Sequence, residues 1–240
     1  MSGLLEILGR AIAVDTSDLI WHWLDERRQS HAESPSLQER HLGHIIDLLG
    51  DGRDDAALEQ LRLYLFEHPA CTLGRMAAAG LALRSNSLEE AVAELQSIYV
   101  RQPTNTLALY ALGHCYERLG HPAQAIEFYQ DCLKFKGYLQ LPAQRLAAIY
   151  FKEGRLDDAI AQYEPLRHHY PDDISTLVIL GHLYLATGQP AKAIDTFNTA
   201  ILIHPDNFTA RDDTIDEMVA DGNLQEALDS VDLLLSDQPE

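Results

Sequence analysis

His41 and His44 stand three residues apart, a spacing that places both imidazoles on one face of a helix and supplies half of a divalent-metal site. No third ligand stands near them in sequence, and both fall at positions expected to pack inward, so a structural role outweighs metal binding. His168 and His169 suit a helix C-terminus, where the dipole favours a partial positive charge. Asp212, Asp213, Asp216, Glu217 and Asp221 gather carboxylates without the glycine-turned loop that wraps calcium, and read as a solvated face. Cys71, Cys115 and Cys132 are few, odd in number and lack CxxC spacing, which argues against a disulfide framework and fits a reducing compartment. Cys115 and Cys132 read as buried thiols. No nucleophile elbow, phosphate loop, zinc-protease motif or Gly-x-Gly-x-x-Gly fingerprint is present. No catalytic residue, cofactor or metal is therefore expected, and the chain is expected not to be an enzyme.

Charge narrows the partners. The 240 residues carry 37 acidic against 18 basic side chains, a net charge of -19. Such a chain is repelled by phosphate, so neither nucleic acid nor an anionic membrane is an expected partner. Residues 168–240 hold fourteen acidic side chains against only Lys192 and Arg211. A solubility cap is the favoured reading of that third, with a docking surface for a basic partner as the sharper one. The N-terminus lacks a basic leader and no apolar run is long enough to span a bilayer, so a cytoplasmic protein without membrane insertion is expected.

The elements that position these residues repeat. A small Ala after a polar or acidic pair recurs at Ala57, Ala91, Ala125, Ala159, Ala193 and Ala227, six copies at an unbroken step of 34 residues. Five residues before each stands Gly52, Asn86, Gly120, Gly154, Gly188 or Gly222. Four residues after stands Leu61, Leu95, Tyr129, Tyr163, Phe197 or Val231. Apolar spacings of three and four, as in Leu177, Leu180 and Tyr184, predict helices. The Gly closes the first helix of each unit in a left-handed turn. The Ala is expected to be small because two helices cross there, facing Gly113 or Gly181 in the best copies.

The run Leu180-Gly181-His182-Leu183-Tyr184, followed by Gly188, Ala193, Phe197 and Pro205, resembles the tetratricopeptide-repeat (TPR) signature. The resemblance covers residues 38 to about 239, although the early Trp of the signature is absent from every copy. It implies an all-α, right-handed solenoid of stacked antiparallel helix pairs, with repeats at 38–71, 72–105, 106–139, 140–173, 174–207 and 208–239 forming one continuous domain. Residues 1–37 are expected to form a diverged seventh hairpin, with Trp23 in the small-Ala position. Pro165 is expected to kink or shorten its helix.

By the same resemblance, ligands lie along a concave groove lined by the first helix of each unit. The matching residues here are Met76, Tyr110, His114, Gln144, Phe151, Val178 and His182. The Lys/Asn/Arg clamp of chaperone-binding members is not recognisable, since its positions hold Met76, Tyr110, His114 and Val178. An apolar and aromatic groove implies an amphipathic or extended apolar peptide as partner. The expected function is an adaptor or scaffold. The alternative is a structural protein that forms homo-oligomers through its N-terminal hairpin or groove.

Overall fold

The computed structural model describes residues 15–30, 37–136 and 140–203. Among the described residues there are eleven helices and no strand. They are α1 Thr16–Ser30, α2 Leu37–Gly50, α3 Asp54–Glu67, α4 Thr72–Arg84, α5 Leu88–Arg101, α6 Thr106–Arg118, α7 Pro122–Lys136, α8 Gln140–Lys152, α9 Leu156–His169, α10 Ile174–Ala186 and α11 Pro190–Ile203. The repeat at 208–239, Ala227, the carboxylates from Asp212 to Asp221 and the first half of the N-terminal hairpin lie outside the described residues.

Local chemistry explains the helix ends. Asn105 caps α6, its side chain accepting from the Ala108 amide at 3.1 Å. Asp54 and Asp55 open α3, Glu89 and Glu90 open α5, and Asp157 and Asp158 open α9, each pair against the positive end of its helix. Between the helices of each pair the backbone turns left-handed, with φ of 79° at Gly120 and 60° at Asn86. The turn lets the next amide reach back: His121 donates to the Tyr116 carbonyl at 2.9 Å, and Gln189 to that of Tyr184 at 2.8 Å. These bonds satisfy carbonyls that the helix end would otherwise leave unpaired.

The described chain divides into two compact units that meet in sequence at Pro142 and Ala143. In the first, α2 pairs with α3, α4 with α5 and α6 with α7, and α3 and α5 each also pack on the helix that follows. Ala57, Ala91 and Ala125 have no exposed surface. In the second unit α9 packs on α10 and α10 on α11, and Ala159 and Ala193 are likewise fully buried.

Three details depart from the sequence reading. The atoms nearest to a Cβ built on Gly113 all belong to the Tyr129 ring, the closest at 2.6 Å, and on Gly181 all to the Phe197 ring. Each glycine therefore makes room for the aromatic one turn beyond the repeated Ala. Pro165 does not shorten its helix: α9 runs 14 residues, as α3 and α5 do. Burial of Ala159, Tyr163 and Leu166 anchors α9 on both sides of the missing donor. His44 is exposed, while His41 turns to Gln60 at 3.4 Å and to the edge of Tyr64.

Candidate functional site

The first unit carries a helix that its repeats do not account for. Asp15 starts α1, accepting from the Ser17 amide at 2.8 Å and the Ser17 hydroxyl at 2.9 Å. Ile20 and Leu24, four residues apart on one face, have no exposed surface and belong to the same buried core as Met76, Leu83 and Ala108. The second helix of a preceding repeat would lie against α2. Instead α1 packs chiefly on α4, and only lightly on α2 and α6. It is thus seated on the first helices of three successive pairs.

The seat is shaped for it. A Cβ on Gly80 would meet Ile20 Cγ2 at 3.0 Å and the Trp21 ring at 3.1 Å, so the missing side chain of α4 is what lets α1 approach. Met76 lies one turn before Gly80 on the same stripe and has no exposed surface. Arg84, one turn after, stacks its guanidinium 4.8 Å from the Trp21 ring centroid. The same side chain donates to the Leu49 carbonyl at 3.3 Å and pairs with Asp54 at 2.8 Å. One residue of α4 thereby ties α1 to α2 and α3.

Charged groups of α6 act on the capping residue of the helix. Burial raises the pKa of Asp15, but the two Ser17 bonds and the positive groups His114 and Arg118 outweigh that and hold it below the usual carboxylate value. Farther along α1, Leu19, His22, Trp23 and Glu26 face Thr106, Leu107 and Tyr110 across a cleft of about 350 Å³. The start of α1 therefore lies by the end of α6, and its later residues by the start of α6: the two run antiparallel.

The residues named from sequence distribute as follows. Met76 and Tyr110 are buried and His114 half-buried in the first unit. The Tyr110 ring lies 5.7 Å from that of Tyr129. In the second unit Gln144, Phe151, Val178 and His182 are all buried, with His182 edge-on to Phe197 at 5.5 Å. Sequence reasoning placed Ile20 and Leu24 on one helix face but not in this seat, and it missed Trp21, Gly80 and Arg84. Gly80 carried a signal: it stands one residue past the position that Gly113 and Gly181 hold, where the second repeat has Ala79. Cys115 is fully buried, and desolvation pushes its thiol up to about 12, so it is not a nucleophile.

Comparison with known proteins agrees with this architecture. Three family models, each described as tetratricopeptide repeat, match residues 42–106, 106–136 and 150–212. The chain is 29% identical over 107 residues to the protein CTR9 homolog of Arabidopsis thaliana, covering 43% of this chain and 10% of that one. It is 24% identical over 164 residues to DnaJ homolog subfamily C member 3 of Bos taurus, covering 61% and 32%. It thus spans a tenth and about a third of these relatives. Among solved structures it resembles MamA, with a TM-score of 0.63 at 18% identity over 72% of this chain and 94% of that one. It also resembles YrrB, described as a TPR protein with an unusual peptide-binding site, with a TM-score of 0.57 at 19% identity over 69% and 86%. With the repeat models spread over most of its length and the helix pairs they require in place, the chain belongs to the tetratricopeptide-repeat family.

Proposed function

We propose that the chain is a non-catalytic protein-interaction scaffold that holds a helical segment of a partner on the first-helix face of its array. The observation that carries this reading is α1: an amphipathic helix already sits on that face, across α4 and its neighbours. A surface that packs Ile20 and Leu24 to zero exposure can pack the apolar stripe of another helix. Met76, Tyr110 and His114 form this face in the first unit. Gln144, Phe151, Val178 and His182 are the matching positions of the second and are proposed as its own stretch of the face. The peptide-binding site named for YrrB is in keeping with this use of the fold. The three free thiols suit a reducing, cytoplasmic setting. Among the described residues, no helix is long and apolar enough to cross a membrane.

Comparative affinity isolation tests the reading. Leu107 lines the cleft, whereas Val100 on α5 is 80% exposed away from it. Partners lost with Leu107→Glu and kept with Val100→Glu would support the groove. Loss with Val100→Glu alone would move the site elsewhere.

Self-association is the second reading, favoured by the same helix: a seat that fits α1 fits the α1 of another copy. Light scattering on dilution separates the two, since an oligomer stable to dilution favours exchange between copies.

A further inference from the structure

We infer that α1 is the chain's own stand-in for its ligand: the partner that fits this seat is an amphipathic helix of α1's pattern, and it binds by displacing α1. This rests on the groove reading above and adds the ligand's chemistry and the competitor. The pattern is read from the seated helix: an acidic capping residue, an apolar and an aromatic residue five and six positions on, and an apolar residue nine on, as in Asp15, Ile20, Trp21 and Leu24.

Each element of that pattern meets a specific feature. The apolar–aromatic pair enters the space that Gly80 leaves open, where a Cβ at position 80 would crowd it at 3.0–3.1 Å. The aromatic ring receives the Arg84 guanidinium. The apolar residue at the last position reaches the common core, as Leu24 does. The acid lies within the electrostatic reach of His114 and Arg118. The face therefore selects orientation as well as hydrophobicity: a helix laid the other way would carry its acid away from both cations.

The seated helix is also an imperfect occupant, which makes it replaceable. The Thr16 hydroxyl and the Trp21 indole N–H are buried without a hydrogen-bond partner among the described residues, and so is the Tyr110 hydroxyl of the seat. The cleft between α1 and α6 leaves about 350 Å³ unfilled beside Tyr110, at the small end for a ligand pocket and enough for added side chains. A partner helix that places a larger side chain there, with a polar group for Tyr110, gains contacts that α1 forgoes. Competition from α1 then sets a threshold: only a helix that outbids the tethered copy binds, and its apparent affinity falls with the fraction of chains whose seat is open.

The probe is a labelled synthetic peptide of residues 15–30, titrated against the full-length chain by fluorescence anisotropy. The double substitution Ile20→Asp and Leu24→Asp should empty the seat in cis and bind the wild-type peptide at least about tenfold more tightly than the unmodified chain does. Adding Gly80→Leu to that variant should abolish binding. If a core made partly by α1 fails without it, the unmodified chain gives the answer. Excess peptide should then speed amide exchange of the chain's own α1 while leaving α10 unchanged. Equal affinity for both full-length forms, or no change in α1 exchange at saturating peptide, overturns the inference and makes α1 a fixed part of the fold. In that event, partner loss by Leu107→Glu would still stand for the scaffold reading, so the two fail separately.

Discussion

Arg84 stacks on the ring of Trp21 while pairing with Asp54 and donating to the Leu49 carbonyl, so one side chain of α4 holds three other helices. The two tryptophans of the chain, Trp21 and Trp23, both lie in α1, which makes intrinsic fluorescence a reporter of this helix alone. Arg84→Ala removes a cation–π contact worth about 0.5–1 kcal/mol and a partly exposed ion pair worth at most about as much. The expected result is a tryptophan emission that shifts red at lower denaturant than the loss of total helicity. Arg84→Lys keeps the charge and loses the planar stacking, and should fall between the two. Coincident transitions for fluorescence and circular dichroism in Arg84→Ala would show that α1 does not detach as a unit.

The glycine–aromatic contacts make a second prediction. Gly113→Ala drives a methyl to within 2.6 Å of the buried Tyr129 ring, which is itself held by a bond from its hydroxyl to Glu117 at 3.0 Å. The ring cannot move without giving up that bond, so the cost should reach about 1–3 kcal/mol. Gly120→Ala meets no atom within 4 Å but sits at a φ of 79°, and should cost about 1 kcal/mol through backbone strain alone. Urea denaturation of the two variants measures the difference. A smaller loss for Gly113→Ala would mean that the α6–α7 crossing is looser than its distances indicate.

The repeat was legible because each element of it is local. A helix period, a left-handed turn and a small residue at a crossing are set by residues within one 34-residue unit, and six copies confirm one another. The seat of α1 was not legible in that way. Residues 15–30 carry helix signals whether they stack as a preceding hairpin or lie on α4, and extending the phase backwards favoured the first. The contacts of Ile20 and Trp21 with Gly80 and Arg84 distinguish them, and those pairings join residues about sixty positions apart. Burial was misjudged for the same reason: Tyr110 and Met76 hold the positions expected to line a groove, but both are buried and α1 lies over this face.

Thiol reactivity should follow burial. Cys71 is half-buried, with the Tyr64 hydroxyl 3.4 Å from its sulfur. Cys115 is buried with its pKa raised to about 12, and Cys132 is buried and donates to the Thr106 carbonyl at 3.3 Å. A disulfide reagent at neutral pH should therefore titrate one thiol in the native chain and three in urea, and Cys71→Ser should remove the native reaction. Rapid modification of Cys115 in the folded chain would contradict its packing.

Acid should loosen α1 before it unfolds the repeats. The carboxylate of Asp15 is held below its ordinary pKa of about 3.9 because the Ser17 bonds, His114 and Arg118 outweigh its partial desolvation. A carboxylate with a depressed folded-state pKa contributes stability that is present above its unfolded value and is lost as pH falls through the folded value. The docking of α1 should therefore be constant from neutral pH down to about 4 and weaken below it. Glu26 is a second carboxylate on the same helix, in an exposed pair with His22 at 3.3 Å, so Glu26→Gln serves as a control and should leave the low-pH change in place. Asp15→Asn should remove it, with the tryptophan emission already shifted at pH 7, because a neutral amide keeps the shape of the cap but not its attraction to His114 and Arg118. Emission followed from pH 7 to pH 3 in the three proteins decides the matter. If wild type and Asp15→Asn trace the same curve, Asp15 does not hold the helix end, and the orientation of α1 rests on its apolar contacts with Gly80 and Met76.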